Sequence, residues 1–113
     1  MNPELSILIP VRDEEENVKI ISKKIEKEIA NPNYELLFVN DFSEDDTIKV
    51  IEEIKVQNKK IRYVNNEKKG LGGAISFGIK ESRGKYVCIM IRDSSDTVED
   101  LNRYYETIIT NNL

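Results

Sequence analysis

The segment that decides the fold is Leu5–Ala30, "LSILIPVRDEEENVKIISKKIEKEIA". Residues 5–11 form a short apolar run rich in β-branched side chains, which is typical of a strand buried on both faces. Apolar residues then recur at steps of three and four, which predicts one apolar face of a helix: Val18, Ile21, Ile25 and Ile29. Asp13–Glu16 place negative charge at the first turn of that helix, where the helix dipole favours it.

The same alternation of strand and helix continues to the end of the sequence. Further buried strands are predicted at 34–39, 60–65 and 85–91. Ser43 and Asp46 resemble a capping box that opens a second helix, with Ile48, Ile51 and Ile54 facing inward. A glycine-rich turn at 68–74 leads into a third helix, whose apolar residues are Ile75, Phe77, Gly78 and Ile79. Thr97 is predicted to cap a last helix, with Leu101, Tyr104, Tyr105 and Ile108 on one side.

This order of elements predicts an α/β fold. Strands that alternate with helices of this length imply right-handed crossovers and a parallel sheet. We therefore expect a three-layer α/β/α sandwich with a doubly wound, mainly parallel sheet of about four strands. No linker, repeat or low-complexity segment interrupts the pattern, so residues 1–113 are predicted to form one domain.

Composition restricts the function classes. The 113 residues are 39% hydrophobic and 34% charged, with a formal charge of −4, which is typical of an ordinary globular chain. An acidic chain without a basic stripe argues against nucleic-acid binding. The absence of histidine excludes His general-base chemistry, and the lone Cys88 is interpreted as a buried structural thiol. Without a signal peptide or an apolar run long enough to span a bilayer, the chain is expected in the cytoplasm or at the cytoplasmic face of a membrane.

Polar residues gather where the predicted strands end. They are Arg12, Asp13 and Glu14 after the first strand, Asn40 and Asp41 after the second, and Asp93, Ser95 and Asp96 after the last. The ends of parallel strands meet at one edge of the sheet, so these side chains are expected to converge there. Neighbouring carboxylates repel one another unless a cation or a hydrogen-bond donor lies between them. A divalent metal ion or a nucleobase would suit this edge.

Three motifs at this edge have two interpretations each. Residues 39–47, "VNDFSEDDT", form either a turn with capping roles or a base-binding loop. Residues 68–74, "KKGLGGA", match neither a dinucleotide fingerprint nor a Walker loop, and form either a simple turn or a site where Lys69 and the backbone near Gly72 approach phosphates. Residues 92–96, "RDSSD", either cap a helix or bind a metal ion or a diphosphate.

Taken together, the order and spacing of these motifs resemble a known family. "ILIPVRDEEENV" (7–18), "YELLFVNDFSEDDT" (34–47) and "GLGGAISFGIKESRGKYVCIMIRDSSDTVEDL" (70–101) are similar to the nucleotide-sugar half of family 2 glycosyltransferases of GT-A fold. The last segment is most similar to the polyprenyl- or dolichyl-phosphate sugar transferases. The resemblance covers nearly the whole chain, and in this family an acceptor-binding part follows.

The resemblance implies an enzyme that transfers a sugar from a UDP- or GDP-sugar to a lipid phosphate or a saccharide, with Mg²⁺ or Mn²⁺ at the donor diphosphate and inversion at the anomeric carbon. It implies that this portion binds the donor and has little or no activity alone. The expected donor-binding residues are Pro10, Val11, Arg12, Glu14, Asn40, Asp41, Lys69, Gly72, Arg92 and Asp93; the expected metal ligands are Asp93, Ser95 and Asp96. No residue is assigned as a catalytic base. The expected partners are the nucleotide sugar, a polyprenyl-phosphate acceptor and, as one option, a second copy of the chain.

The sequence departs from the family pattern at several positions of this edge. Ile91 stands where the first Asp of the family's Asp-x-Asp motif is expected, Asn40 replaces the first acid of an Asp-Asp pair, and Phe42 replaces a Gly. Arg12-Asp13 replaces the common Tyr-Asn. Loss of a metal-side carboxylate should weaken cation binding, which favours a second hypothesis, a non-catalytic nucleotide-binding or regulatory domain. A phospho-receiver domain fits poorly, because no Lys lies at the required strand end.

Overall fold

The computed structural model describes residues 2–91, 98–99 and 102–103. Four strands and three helices alternate along this part of the chain. They are β1 (Leu5–Val11), α1 (Glu15–Glu28), β2 (Tyr34–Asn40), α2 (Thr47–Gln57), β3 (Ile61–Asn65), α3 (Leu71–Glu81) and β4 (Tyr86–Ile89). The pairs 98–99 and 102–103 are helical.

The four strands form one parallel sheet in the order β3-β2-β1-β4. The strand β1 is central: Leu5 lies opposite Tyr34 of β2 on one side and opposite Tyr86 of β4 on the other. The chain therefore winds outward from β1 to β3 and then returns to the opposite flank of β1. This reversal of strand order is the mark of a doubly wound fold, and the predicted α/β class is confirmed.

Helices cover both faces of the sheet. On one face, α1 and α2 contribute Val18, Ile25 and Ile51 to a core that includes alternate residues of the strands, such as Ile7 and Phe38. On the other face, α3 packs Ala74 against Leu8, Leu37 and Val39. The central strands are buried on both sides for this reason, and their sequences lack a polar face.

The third helix approaches the sheet closely at Gly78. A Cβ atom at this position would lie 2.4 Å from Leu8 Cδ1 and 2.8 Å from Val39 Cγ2. We expect Gly78→Ala to lower the free energy of unfolding by about 2 kcal/mol, because the buried neighbours must shift to admit the methyl group. Urea denaturation measures this change. Gly72→Ala is the matched control: a Cβ atom there meets nothing within 4 Å, so the higher helix propensity of alanine should leave stability unchanged or slightly raised. Equal destabilisation by both substitutions would contradict the packing argument.

The start of α2 differs from the predicted capping box. The helix begins at Thr47, and the N-cap residue Asp46 makes no side-chain capping bond. Instead, the Asp45 carboxylate accepts a hydrogen bond from the backbone N–H of Thr47 at 2.9 Å. The Ser43 hydroxyl accepts a bond from the backbone N–H of Asp13 at 3.0 Å. The predicted capping box is therefore wrong, because the Ser43 side chain is hydrogen-bonded to the loop after β1 and not to the start of α2.

The last predicted strand is shorter and less buried than the sequence suggests. It ends at Ile89, which is 37% exposed, instead of at Ile91. Among the described strands β4 pairs with β1 alone, so it lies at one edge of the described sheet. The backbone N–H of Met90 still donates to the carbonyl of Leu8 at 2.9 Å. Ile79, predicted on the apolar side of α3, is 49% exposed.

The end of α1 is completed by a residue far along the chain. The Asn102 side chain accepts a hydrogen bond from the backbone N–H of Ala30 and donates one to the carbonyl of Glu28, both at 2.9 Å. Val98 is fully buried in the core of the α1 face. The predicted cap Thr97 and the predicted helix face of Leu101, Tyr104, Tyr105 and Ile108 lie outside the described residues. No helix in the described part of the chain combines the length and apolar character that crossing a membrane requires.

Candidate functional site at the carboxyl edge of the sheet

The carboxyl ends of β1, β2 and β3 lie side by side. Val11 is in register with Asn40, and Asn40 with Asn65. The residues that follow these strands therefore meet at one edge, as the sequence predicted. The strand order reverses between β1 and β4 at this same edge, which is where open α/β sheets form a ligand crevice.

A buried carboxylate joins the end of β2 to the start of α3. Asp41 is 6% exposed, and its oxygens accept hydrogen bonds from the backbone N–H of Gly70 at 3.0 and 3.2 Å. The Asn66 side-chain amide donates to the same carboxylate at 3.0 Å. Asp41 also donates its backbone N–H to the carbonyl of Val11 at 2.8 Å. Through its side chain and its backbone, this one residue thus fixes three strand-end segments relative to one another.

Gly70 has a backbone conformation that other residues rarely adopt. Its φ angle is +125°, which is open to glycine and strained for residues with a Cβ atom. This turn aims the Gly70 N–H at Asp41 and starts α3 at Leu71. The predicted glycine-rich turn therefore ends at Gly70, and Gly72 lies in the first turn of the helix.

Asn40 and its neighbours form an amide network beside Asp41. The Asn40 side chain donates to Asn65 Oδ1 at 3.0 Å and accepts from the backbone N–H of Ser43 at 3.3 Å. The backbone N–H of Asn66 donates to the Asn40 carbonyl at 2.9 Å. Asn40 is 5% exposed, so this asparagine holds the loops in place.

The loops after β1 and β2 interlock. The Asp13 carboxylate accepts hydrogen bonds from the backbone N–H groups of Glu44 and Asp45, at 2.7 and 3.2 Å. The Thr47 hydroxyl accepts one from the backbone N–H of Glu14 at 2.8 Å. Both loops contain a non-glycine residue at positive φ, Asp13 at 53° and Phe42 at 60°. Phe42, which stands where a Gly is expected from the family resemblance, is 45% exposed at this edge.

The outer rim of the edge is strongly acidic. A cavity of about 250 Å³ is lined by Asp13, Glu14, Glu15, Glu16, Asn17 and Asp45. Local burial and the surrounding carboxylates, Asp45 first among them, raise the pKa of Glu15. Burial would also raise the pKa of Asp45, but hydrogen bonds from Thr47 and from the backbone outweigh it and lower that pKa. The rim therefore favours a positively charged or hydrogen-bond-donating neighbour.

An apolar cavity lies next to this rim at the reversal of strand order. It measures about 230 Å³, and its walls include Val11, Val18, Ile21, Met90 and Ile91. The crevice therefore has two chemically different sides. The side next to α1 is apolar, and the side next to Asn40 and Asp41 is polar.

The residues predicted to form the metal centre are not among those that the structure describes. Within the described residues, no group of three or more carboxylate, thiol or imidazole side chains is arranged to hold a metal ion. The predicted ligands Asp93, Ser95 and Asp96, and the predicted donor contact Arg92, lie outside the described residues.

The other predicted donor residues lie at the carboxyl edge. Pro10 and Val11 end β1, and Arg12 is exposed immediately beyond them. Lys69 and Gly72 are exposed on either side of the start of α3. Sequence reasoning missed Asn66, which donates its side-chain amide to Asp41 and to the carbonyls of Lys68 and Gly70. The signal was present, because Asn65-Asn66 is a polar pair at a strand end like the others.

Known proteins resemble this chain in sequence and in fold. The sequence matches the family described as glycosyl transferase family 2 over residues 6–113. A dolichyl-phosphate beta-glucosyltransferase of Dictyostelium discoideum is 29% identical over 110 residues, covering 88% of this chain and 33% of the relative. Two solved structures share the fold over 96% of this chain and 33% of theirs: Staphylococcus aureus TarS 1–349 in complex with UDP (TM-score 0.78, 19% identity) and the mannosyltransferase PcManGT from Pyrobaculum calidifontis in complex with GDP-Man and Mn²⁺ (TM-score 0.73, 18% identity).

The strand order and the helices on both faces give the chain the fold of the GT-A glycosyltransferases. The family match extends over nearly all of its residues. The chain belongs to glycosyl transferase family 2. It spans between 27% and 42% of the length of six curated relatives that it matches.

Proposed function

We propose that the chain is the donor-binding portion of a metal-assisted, inverting glycosyltransferase that uses a UDP- or GDP-sugar. The observation that carries this proposal is the buried Asp41 carboxylate at the end of β2, held at the ligand edge by Gly70 and Asn66. A carboxylate has about four acceptor positions. Asp41 can therefore accept a further hydrogen bond from a nucleobase N–H while it keeps the loops together.

The surroundings of Asp41 suit the rest of such a donor. The first turn of α3 has backbone N–H groups without helical partners, which favour a phosphate, and the exposed Lys69 adds positive charge. Pro10 and Val11 end the adjacent strand β1, and Arg12 and Glu14 follow it directly, where they can contact the base and the ribose. UDP in TarS and GDP-Man in PcManGT support the donor class by analogy.

A divalent cation is the proposed cofactor, by analogy with the Mn²⁺ of PcManGT. Asp93 and Asp96, with Ser95, are the proposed ligands, and Mg²⁺ or Mn²⁺ is the ion that such oxygen ligands suit. The bound cation would neutralise charge on the departing diphosphate. With Ile91 in place of a further carboxylate, we expect its affinity to be low.

The proposed reaction is displacement at the anomeric carbon from the side opposite the diphosphate. The residues of this portion bind and orient the donor, and Arg92 is proposed to contact a phosphate. The dolichyl-phosphate glucosyltransferase relative supports a polyprenyl-phosphate acceptor. Because such an acceptor is a lipid, the proposed location is the cytoplasmic face of a membrane. Such an acceptor is already anionic and needs no base from the enzyme.

Calorimetry with UDP and GDP, each with and without Mn²⁺, tests the proposal. We expect Asp41→Asn to weaken nucleotide binding at least tenfold, because a hydrogen bond to a charged group contributes roughly 1.5–3 kcal/mol. Asp46→Asn is the matched control, since Asp46 is exposed and makes no side-chain capping bond. Affinity within about twofold of the wild type is expected for this control. Thermal unfolding verifies that both variants fold.

The comparison of titrations with and without Mn²⁺ distinguishes a glycosyltransferase from the alternative function, a non-catalytic nucleotide-binding domain. Nucleotide binding that needs Mn²⁺ and is lost in Asp93→Ala supports the transferase. Binding that is indifferent to the metal supports a non-catalytic nucleotide-binding domain, which the Ile91 substitution favours. A folded chain that binds neither nucleotide contradicts both functions.

A further inference from the structure

The opposite edge of the sheet carries a groove that the proposed function does not use. Two adjoining cavities of about 430 and 460 Å³ lie where the chain enters the four strands, and they share Asn2, Pro3, Asn33 and Arg83. We call this the basal groove and define it by its five cationic residues: Lys59, Lys60, Arg62, Arg83 and Lys85. The seven-residue strand β1 separates it from the carboxyl edge by roughly 20 Å.

Charge is segregated between the two edges. The lining of the basal groove contains two carboxylates, Glu4 and Glu35, against its five cations, so it carries a net charge of +3. The whole chain has a formal charge of −4. A positive groove in an acidic protein attracts anions from solution and is not explained by overall composition.

Most of the positive charge in the groove is free to act on a ligand. Glu35 is neutralised by Arg62, whose Nε lies 2.6 Å from Glu35 Oε1. In the part of the chain that the structure describes, no carboxylate lies within ion-pair distance of Lys59, Arg83 or Lys85. Lys60 donates to the carbonyl of Pro32, which leaves its positive charge uncompensated.

The cations rest on a fixed scaffold. The backbone N–H of Arg83 donates to Glu35 Oε2 at 2.8 Å, and that of Gly84 donates to the Ser6 hydroxyl at 2.7 Å. The Lys60 ammonium lies 4.7 Å from the centre of the Tyr34 ring, which restricts this side chain as well. Cations held in this way lose less conformational entropy when an anion binds.

We propose that the basal groove binds a phosphate-bearing ligand with at least two negative charges. Arginine and lysine side chains are the usual partners of phosphate oxygens, and the groove presents both types. Its cations are distributed across the entry ends of four strands, a width of roughly 14 Å at the usual strand spacing. That width suits a diphosphate or adjacent lipid head groups better than a single small anion.

Titration with sodium pyrophosphate, followed by amide NMR shifts at low salt in the presence of EDTA, tests for a soluble ligand. We expect saturable shifts at Arg83, Gly84 and Lys85, distinct from any at Asp41 and Gly70. The double variant Lys59→Ala/Arg83→Ala should weaken this binding at least tenfold, since it removes two free cations. Lys19→Ala/Lys49→Ala, which removes the same charge from exposed helix positions outside the groove, should stay within about twofold of the wild type.

Sedimentation with phosphatidylcholine vesicles, with and without phosphatidylglycerol, tests for lipid head groups. The site is supported by saturable pyrophosphate binding, or by sedimentation that depends on phosphatidylglycerol, if only the Lys59→Ala/Arg83→Ala variant reduces it. A response to pyrophosphate identifies a soluble ligand, and a response to the vesicles identifies lipid head groups. Thermal unfolding establishes that both double variants are folded. Absence of binding in both arms, or an equal loss in both variants, overturns the proposal.

Discussion

Replacing Glu35 with alanine is expected to lower the free energy of unfolding by about 3 kcal/mol, at the lower end of the range for a broken buried ion pair. The Glu35 side chain is 8% exposed and that of Arg62 20%, so the substitution leaves a largely desolvated guanidinium without its carboxylate. The Ser6 hydroxyl and the backbone N–H of Arg83 lose their acceptor as well. Urea denaturation at neutral pH measures the change.

Glu53→Ala is the control for this substitution. Glu53 is exposed on α2, so its replacement removes the same charge and should change stability by no more than about 0.5 kcal/mol. If Glu35→Ala behaves like Glu53→Ala, the Glu35 bonds contribute nothing net to the fold. That result would also contradict the argument that Glu35 stabilises the positions of Arg62 and the Arg83 backbone at the basal groove.

The same carboxylate makes stability depend on pH. Burial alone would raise the pKa of Glu35 above 4.5, but hydrogen bonds from Arg62, Ser6 and the Arg83 backbone outweigh it and lower the pKa. A lowered pKa means that the ionised carboxylate stabilises the fold above the unfolded-state pKa, and that this stability is lost as pH falls through the folded-state pKa. We expect the stability difference between wild type and Glu35→Gln to shrink below about pH 5. A difference that is constant down to acid unfolding would contradict this.

Gly84→Ala is expected to destabilise the chain by about 3 kcal/mol, because a methyl group there has no room. A Cβ atom at Gly84 would lie 2.5 Å from the backbone nitrogen of Ser6 and 2.8 Å from the carbonyl carbon of Leu5. These are atoms of the central strand, which cannot rotate away as a side chain can. Thermal and urea unfolding measure the loss.

A second substitution distinguishes a backbone clash from a side-chain clash at Gly84. The built Cβ atom also lies 2.7 Å from the Ser6 hydroxyl. If that hydroxyl were the obstacle, adding Ser6→Ala would relieve part of the effect. We expect the double variant to lose as much stability as the two single substitutions together, because the contact with the Ser6 nitrogen remains. A double variant more stable than Gly84→Ala alone would contradict the backbone explanation.

The fold was largely predictable because its signals are local. β1 occupies residues 5–11 as predicted, and Ile51 and Ile54 face the core as the helical spacing indicated. The failures involve interactions between distant segments. Considered alone, Ser43 is typical of a helix cap, but its hydroxyl accepts a hydrogen bond from the backbone N–H of Asp13 in another loop. The exposure of Ile89 depends on the position of β4 in the sheet, which an apolar run does not specify.

The candidate site was predictable in position more than in detail. Polar residues at strand ends indicated the edge where Asp41 and Asn40 lie. The bonds from Asp41 to Gly70 and Asn66 depend on the positive φ of Gly70 and on the neighbouring strands, and neither property is visible in the residues around Asp41. The basal groove escaped detection because its cations come from two loops distant in sequence: Lys59 precedes β3, whereas Arg83 and Lys85 precede β4. Each looks like a solvated surface residue when considered alone.

The central position of β1 has a consequence for how the chain folds as it is synthesised. Its first neighbour, β2, is complete at Asn40, but its second neighbour begins only at Tyr86. Until then one flank of β1 presents unpaired backbone groups, which can pair with another chain. A nascent chain that has emerged only as far as α3 therefore has an open strand edge in its middle, and such a species is prone to aggregate or to recruit a chaperone.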